Sequence, residues 1–498
     1  MTVMPEKPPL IKTQLCNLLK GIFTLPARIW NSPTLMTWLS MVTRIGGLAI
    51  LVPIVVTRLG APEVLVWQML SSITLLVTLT DFGFSPTFAR VIAFARGGGT
   101  MGQLIEGGRG RAANQPVDQS EGPLSLSAVL LAQVRVYRWV IVLAALVSAV
   151  GGALALWRPI GAIDRPIEGW TAWLSASLAG LLILANGANV AVLTGFDRIA
   201  LARRLDAVLS LLQLASTCVV ALAGLGLLGI VICYSFWTLP LFFLNQHYRR
   251  KIADPGEAAT SRPDPQLVVE IWRSAWRSGV GVIASTGIIQ ASGIVYAQIA
   301  SVADAAAYLL LLRAVTVAAQ LSQAPFYSRL PRMAQLRAEG RIGEVADLAK
   351  RGMALAFWTY VLSALGLIVV VPPALRLIGS SVSFPDPSVS FVLVAAFFVE
   401  RYCAMHIQIY SLTHHIIWHI MNGITGALII IFSAALFPVL GQSAIPTAIL
   451  ISYCSAFAWY ASKQSLASIA VRRADFEKTT VAGPTLAIIV AAAFVLLK

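Results

Sequence analysis

The stretch SVADAAAYLLLLRAVTVAAQLSQAPFYSRLPRMAQLRAEGRIGEVADLAKRG, Ser301–Gly352, decides the fold. It reads as four pieces. A short turn carries Asp304, an apolar span follows with Arg313 inside it, a proline-bounded exit runs from Ala324-Pro325 to Leu330-Pro331, and a basic amphipathic helix runs from Arg332 to Arg351. The second piece is long enough to cross a bilayer, which takes about 20 apolar residues. A fainter copy lies earlier. Leu59–Arg96, LGAPEVLVWQMLSSITLLVTLTDFGFSPTFARVIAFAR, has an acidic residue, an aromatic one, a long apolar run, a proline break at Ser85-Pro86 and a basic amphipathic piece with Arg90 and Arg96. Asp304 and Tyr308 fall 241 positions after Glu63 and Trp67. Paired hydrophobic patterns of this kind predict a membrane protein of two similar halves.

Composition agrees. Of 498 residues, 57% are hydrophobic and 12% are charged, and the mean hydropathy is +0.78. A soluble domain carries about 25% charged residues, and one this apolar would expose aggregating patches. The net charge of +15 on a soluble protein would suggest nucleic acid. Here Lys and Arg gather in alternate loops, as the positive-inside rule requires. No nucleic-acid partner is therefore expected; the basic loops hold the orientation and meet anionic membrane lipid. Four of the five cysteines, Cys16, Cys218, Cys233, Cys403 and Cys454, sit in apolar spans without paired spacing, so they read as core residues. No metal and no cofactor is expected.

Apolar spans are placed near 36–57, 64–84, 136–156, 171–193, 206–223 and 226–245, then near 279–300, 303–325, 354–373, 388–411, 417–438 and 444–465, with a short last one near 481–497. The basic links at 85–135, 194–205, 246–278, 326–353 and 466–480 share one side if the N-terminus is cytoplasmic. The chain divides accordingly. Residues 1–35 form an amphipathic cytoplasmic segment, with Lys12, Lys20 and Arg28 along Leu10–Trp30, lying on the membrane surface with no cleaved signal. Residues 36–245 form a first lobe of six spans, 246–278 a cytoplasmic linker, 279–465 a second lobe of six, and 466–498 a basic link with an extra helix. The Gly-rich link 97–123 has no Gly-Lys-Ser/Thr and no strand before it, so it is not a phosphate loop. No outward loop approaches the ~40 residues of a minimal folded unit, which argues against an enzyme with an outer catalytic domain.

Ionisable groups inside hydrocarbon are costly and need a partner or water. The candidates are Arg44 in the first span, Asp81 near the inner end of the second, Arg313 in the eighth, and Glu400 with Arg401 in the tenth; Arg135 and Arg138 open the third. None finds an opposite charge three or four residues away on its own helix, and Glu400 and Arg401, being adjacent, start about 100° apart. They are expected to meet across helices or to face a wet cavity. The repeat offset sets Arg44 against Ser285, Asp81 against Ser322, and Arg313 against Ser72. Cations outnumber anions in such a central space, which favours an anionic passenger. Two readings stand for the individual groups. Arg44 and Arg313 suit a cavity; Arg135, Arg138 and Arg401 equally suit snorkelling or structural pairs. Asp81 and Glu400 suit either a functional role or an interhelical pair with a cavity arginine. His406, His414, His415 and His419 lack a Glu or Cys to complete a metal set. Trp67, Trp170, Trp173 and Tyr308 read as membrane-interface anchors.

Residues 58–84, RLGAPEVLVWQMLSSITLLVTLTDFGF, resemble the first helical hairpin of Wzx-type polysaccharide flippases, of the multidrug/oligosaccharidyl-lipid/polysaccharide exporter superfamily. Residues 304–341 resemble the matching hairpin of the second lobe, and the likeness covers most of 36–465. It implies an all-α polytopic fold with two six-helix lobes around a central cavity that opens alternately to each side. It implies carriage of an undecaprenyl-diphosphate-linked oligosaccharide to the outer leaflet, with Arg44 and Arg313 in a cationic lumen and Asp81 closing the second helix. The extra helix at 481–497 departs from a twelve-helix plan. A proton or sodium gradient coupled through Asp81 or Glu400 is one source of drive. A drug or cation antiporter of the same superfamily is the alternative, and a membrane glycosyltransferase or polymerase a third reading.

Overall fold

A computed structural model of the chain describes residues 43, 47, 50–98, 100, 124–253, 265–413 and 417–496. Every described element is a helix. The first half holds α1 (Ala61–Leu79), α2 (Phe84–Arg96), α3 (Leu126–Leu146), α4 (Ala153–Gly161), α5 (Pro166–Gly195), α6 (Ile199–Leu222), α7 (Gly226–Phe236) and α8 (Thr238–Ile252). The second holds α9 (Pro265–Val282), α10 (Ile288–Ile299), α11 (Val302–Tyr327), α12 (Leu330–Ala338), α13 (Ile342–Leu377), α14 (Pro387–Ser411), α15 (Trp418–Leu440), α16 (Ala444–Ser452), α17 (Ala458–Ser468), α18 (Arg473–Thr480) and α19 (Ala482–Leu496). Single π-helical turns at Val147–Gly152, Ile283–Gly287 and Tyr453–Phe457 join α3 to α4, α9 to α10, and α16 to α17.

Among the described residues, 10 helical stretches are long and apolar enough to cross a membrane, or 11 if α18 and α19, bent by 53°, make one. The sequence predicts thirteen. Most of the first, 36–57, lies outside the described residues, as does the N-terminal segment 1–35. The stretch Trp418–Ser468, counted once among the ten, holds two of the expected spans: it turns at Gly441, whose φ of 54° suits glycine, and α15 packs back along α16.

The two copies begin alike for a capping reason. Glu63 Oε2 accepts the Gly60 N–H at 3.0 Å. At the matching place Ser301 Oγ accepts the Asp304 N–H at 3.1 Å and donates to Asp304 Oδ2 at 2.7 Å. Glu63 thus satisfies its N-cap amide directly, while in the second copy Ser301 is the cap and Asp304 holds its hydroxyl; the helix dipole favours both carboxylates there. The proline breaks fall elsewhere than the sequence predicts. α1 stops at Leu79, and the chain turns through Phe82 (φ 49°) and Gly83 (φ 75°). Pro86 then sits in the first turn of α2, where its missing N–H costs nothing. Pro325 lies inside α11 and Pro331 opens α12. The basic helix expected from Arg332 to Arg351 is two: α12 ends before Gly340 (φ 74°), and α13 carries the rest.

In the first half α5 is the hub, packing on α1, α2, α3, α7 and α8; in the second, α13 and α14 surround α11. The halves meet where α1 packs on α10 and α11, and where α9 packs on α2 and α3. Gln68 Nε2 donates to Ala306 O at 3.3 Å across this seam. Near the far end of α10, Arg158 Nη1 donates to Gln298 O and Gln298 Nε2 to Ala155 O, both at 2.7 Å. Ser381 Oγ donates to Leu59 O at 2.6 Å. At the α9 end Gly279 lies flat on the α1–α2 break: a Cβ there would sit 2.7 Å from Phe82 Cδ1 and 2.8 Å from Phe82 Cα. Gly279→Ala is therefore expected to cost about 1–3 kcal/mol by overpacking and to lower the melting temperature of the solubilised chain. Gly366→Ala, with open space around it, is the control; equal shifts for the two would refute the contact.

Candidate functional site

Arg313 stands in mid-α11, flanked by the buried Leu309, Leu310, Leu312 and Val315. Its guanidinium carbon lies 5.4 Å from the ring centre of Trp67 on α1, so it reaches across the seam into the other half. Trp67 is 6% exposed, and Tyr308 is fully buried and stacked on Tyr296 at 3.9 Å. Neither sits at a membrane interface as the sequence predicts: Trp67 lies at the seam, and Tyr308 is packed between α10 and α11 of the second half. Arg313 Nε is buried without a hydrogen-bond partner, and no described carboxylate lies within ion-pair distance. A desolvated cation–π contact is worth about 2 kcal/mol, against about 2.5–3.5 kcal/mol or more for placing an arginine at mid-membrane. The site is left short of negative charge.

Asp81 occupies the α1–α2 break. Its Oδ2 accepts the Ser85 N–H at 3.0 Å, capping α2, and its Oδ1 accepts the Tyr137 hydroxyl at 2.7 Å, tying the break to α3. Ser85 Oγ donates to Gly187 O at 3.1 Å, which extends the tie to α5. Trp67 and Asp81 are fourteen positions apart along one span, about 20 Å at helical rise, so Asp81 and Arg313 do not share a site.

Glu400 and Arg401 are expected to meet across helices or to face a wet cavity, with a structural pair as the other reading of Arg401; they pair with each other, Arg401 Nε and Nη2 both donating to the Glu400 carboxylate. Their side chains are 19% and 11% exposed. The long arginine stem turns back over the initial angle between the two, because in a dry interior a bidentate partner outweighs the rotamer cost. The pair lies beside Tyr327, at the α12 end of α11. Arg401 Nη1 remains without a partner. Arg44 lies outside the described residues. So does the His414–His415 pair; His406 is buried, with Nδ1 3.0 Å from Ser465 Oγ.

Among the described residues, Asp81, Arg313 and the Glu400–Arg401 pair thus stand at separate points. A cavity of about 820 Å³ is lined by Glu63, Asp164 and Glu168 together with Val220, Leu227 and Phe236. A smaller one of about 300 Å³ is lined by Phe82, Trp272, Arg273, Trp276 and Val280. None of Asp81, Arg313, Glu400 and Arg401 lines either.

One polar cluster escapes the sequence reading. α8 continues to Ile252 and so carries Arg249, assigned above to the linker, against α5. Arg249 Nη1 donates to Asn189 Oδ1 at 3.2 Å, and Asn245 Nδ2 donates to Asn186 Oδ1 at 3.1 Å. Gln133 Nε2 on α3 donates to Ala188 O at 3.0 Å. The available signal is spacing: Asn186 and Asn189 share one face of an apolar helix, as do Asn245 and Arg249.

No family model and no curated protein matches the sequence. Solved structures do resemble the fold. A multidrug resistance MATE family transporter of the MOP superfamily, in an inward-facing conformation, matches with a TM-score of 0.63 at 11% identity, over 88% of this chain and 95% of its own. The lipid II flippase MurJ, in an inward closed conformation, matches with a TM-score of 0.58 at 12% identity, over 93% and 98%. An outward-facing MATE family transporter matches at 0.53 and 11%, over 91% and 98%. At such identities the likeness is one of fold: the chain has the all-helical, multi-span architecture seen in transporters of the MOP superfamily.

Proposed function

We propose that this chain is a Wzx-type flippase. It carries an undecaprenyl-diphosphate-linked oligosaccharide from the cytoplasmic to the outer leaflet of a bacterial inner membrane, for polysaccharide assembly. The observation that carries the reading is Arg313, a cation at the seam between the halves with no described counter-charge and a free buried Nε. Two phosphates do not cross hydrocarbon unaided. A guanidinium stays charged at any working pH and presents a fork matched to phosphate oxygens. The prenyl tail stays in the bilayer while the head group passes along the seam as the halves rock. The N-terminus lies on the cytoplasmic side, where the basic links gather, and a proton or sodium gradient supplies the drive. A cation antiporter is disfavoured by the same contacts. Asp81 is committed to Ser85 and Tyr137, and Glu400 to Arg401, whereas Arg313 is left for an anion.

The test is reconstitution of the full chain in liposomes with a fluorescent prenyl-diphosphate oligosaccharide. Protein-dependent movement of the label to the opposite leaflet is expected. Efflux of a cationic dye without lipid movement would turn the reading to the antiporter, and glycan elongation would turn it to an enzyme.

A further inference from the structure

We propose that Arg249, Asn189 and Asn245 form an anion-recognition site, distinct from Arg313, that takes a phosphate-bearing head group at the linker-side end of the first half. The site lies one to two turns inside the ends of α5 and α8, as Gly195 and Ile252 close those helices. Arg249 is half-buried and its side-chain partner is a neutral carboxamide oxygen. No described carboxylate lies within ion-pair distance of it. The negative end of the α8 dipole offsets only part of its charge, and the neighbouring Arg250 and Lys251 add to the positive field.

Around it, polar atoms are left over. Asn189 Nδ2, Asn245 Oδ1 and Gln133 Oε1 are buried without a partner. Their residues are 2%, 1% and 0% exposed. Each orphan costs free energy that a neutral apolar side chain would not, and three of them abut one turn of α5. Ordered water can pair leftover amides, but water does not neutralise a guanidinium. A phosphate can accept from Arg249 and from Asn189 Nδ2 together. The acceptor atoms of Asn245 and Gln133 remain for hydroxyl groups, such as those of a sugar attached to the phosphate.

The transport role of this site rests on the flippase reading; its ligand chemistry does not. Two sources share that chemistry, the diphosphate of a carried lipid and the phosphate of a bilayer lipid. The experiment uses the full chain in phosphatidylcholine nanodiscs, with inorganic pyrophosphate as the probe and calorimetry as the readout. Arg249→Gln is expected to weaken pyrophosphate binding at least tenfold, Arg249→Lys less, and Arg250→Gln, which removes only part of the surrounding field, about twofold at most. Size-exclusion profiles and the lysine variant guard against a folding defect. Discs containing phosphatidylglycerol that compete with pyrophosphate would assign the site to bilayer lipid. Competition by a short-chain prenyl-diphosphate sugar alone would assign it to the carried lipid. Unchanged binding by Arg249→Gln, or an equal loss in Arg250→Gln, overturns the proposal. Arg249-dependent pyrophosphate binding in a protein that moves no lipid-linked oligosaccharide would sink the flippase reading and leave this site standing.

Discussion

Arg313→Met is expected to cut the rate of lipid-linked oligosaccharide movement about 100-fold while leaving the chain as stable as before, or more so. The two halves of this expectation have separate causes. Charge-assisted hydrogen bonds to a phosphate contribute about 1.5–3 kcal/mol, so losing them at the rate-determining state slows transport by about one to two orders of magnitude. In the resting chain the same guanidinium is a burden: it has a Trp67 face at 5.4 Å, a buried unpaired Nε and no described ion pair. Methionine keeps the stem's volume and removes the buried charge, and replacing a strained functional group commonly stabilises a fold. Trp67→Leu should give a smaller loss, since it removes only the surface that positions the cation. Liposome translocation assays and thermal unfolding on the same preparations check both. Transport at the unaltered rate in Arg313→Met would remove the central support for an anionic passenger.

The fold was largely written in the sequence, because hydrocarbon imposes length and apolarity on every span. The likeness between the two copies has a local counterpart at their helix starts, where Glu63 accepts the Gly60 N–H directly whereas Ser301 caps Asp304 N and donates its hydroxyl to the Asp304 carboxylate. The break in the first copy was misplaced because Ser85-Pro86 looks like a terminator. The turn is made instead by Phe82 and Gly83, held by the Asp81 contact to Ser85 N. The buried charges themselves were visible, since an arginine inside an apolar run needs no alignment to notice. Their partners were not. Which face Trp67 turns to α11 and how far the Arg401 stem folds back depend on packing between helices distant in sequence. Arg249 was missed because a basic cluster after a hydrophobic run reads as a loop anchor, whereas α8 runs about two turns further and half-buries its inner arginine on α5.

Removing one member of the Glu400–Arg401 pair is expected to be the most damaging single change for stability. Arg401→Met leaves a carboxylate among buried side chains, and Glu400→Gln leaves a guanidinium there; breaking such a pair from one side costs about 3–5 kcal/mol. The double variant Glu400→Gln, Arg401→Met removes both charges and is expected to regain most of that loss, because the pair's attraction mainly repays its own desolvation. Chemical unfolding of the four proteins in detergent gives a coupling free energy, expected to exceed the loss in either single variant, about 3–5 kcal/mol. Coupling near zero would mean that each group is satisfied by something other than its neighbour. The same double variant also separates the two readings of the pair. If Glu400 and Arg401 only hold α14 in place, transport should survive in the restabilised protein. If the unpaired Arg401 Nη1 meets the passenger, or if Glu400 takes up the coupling ion when the pair opens, a stable double variant will still fail to move its lipid.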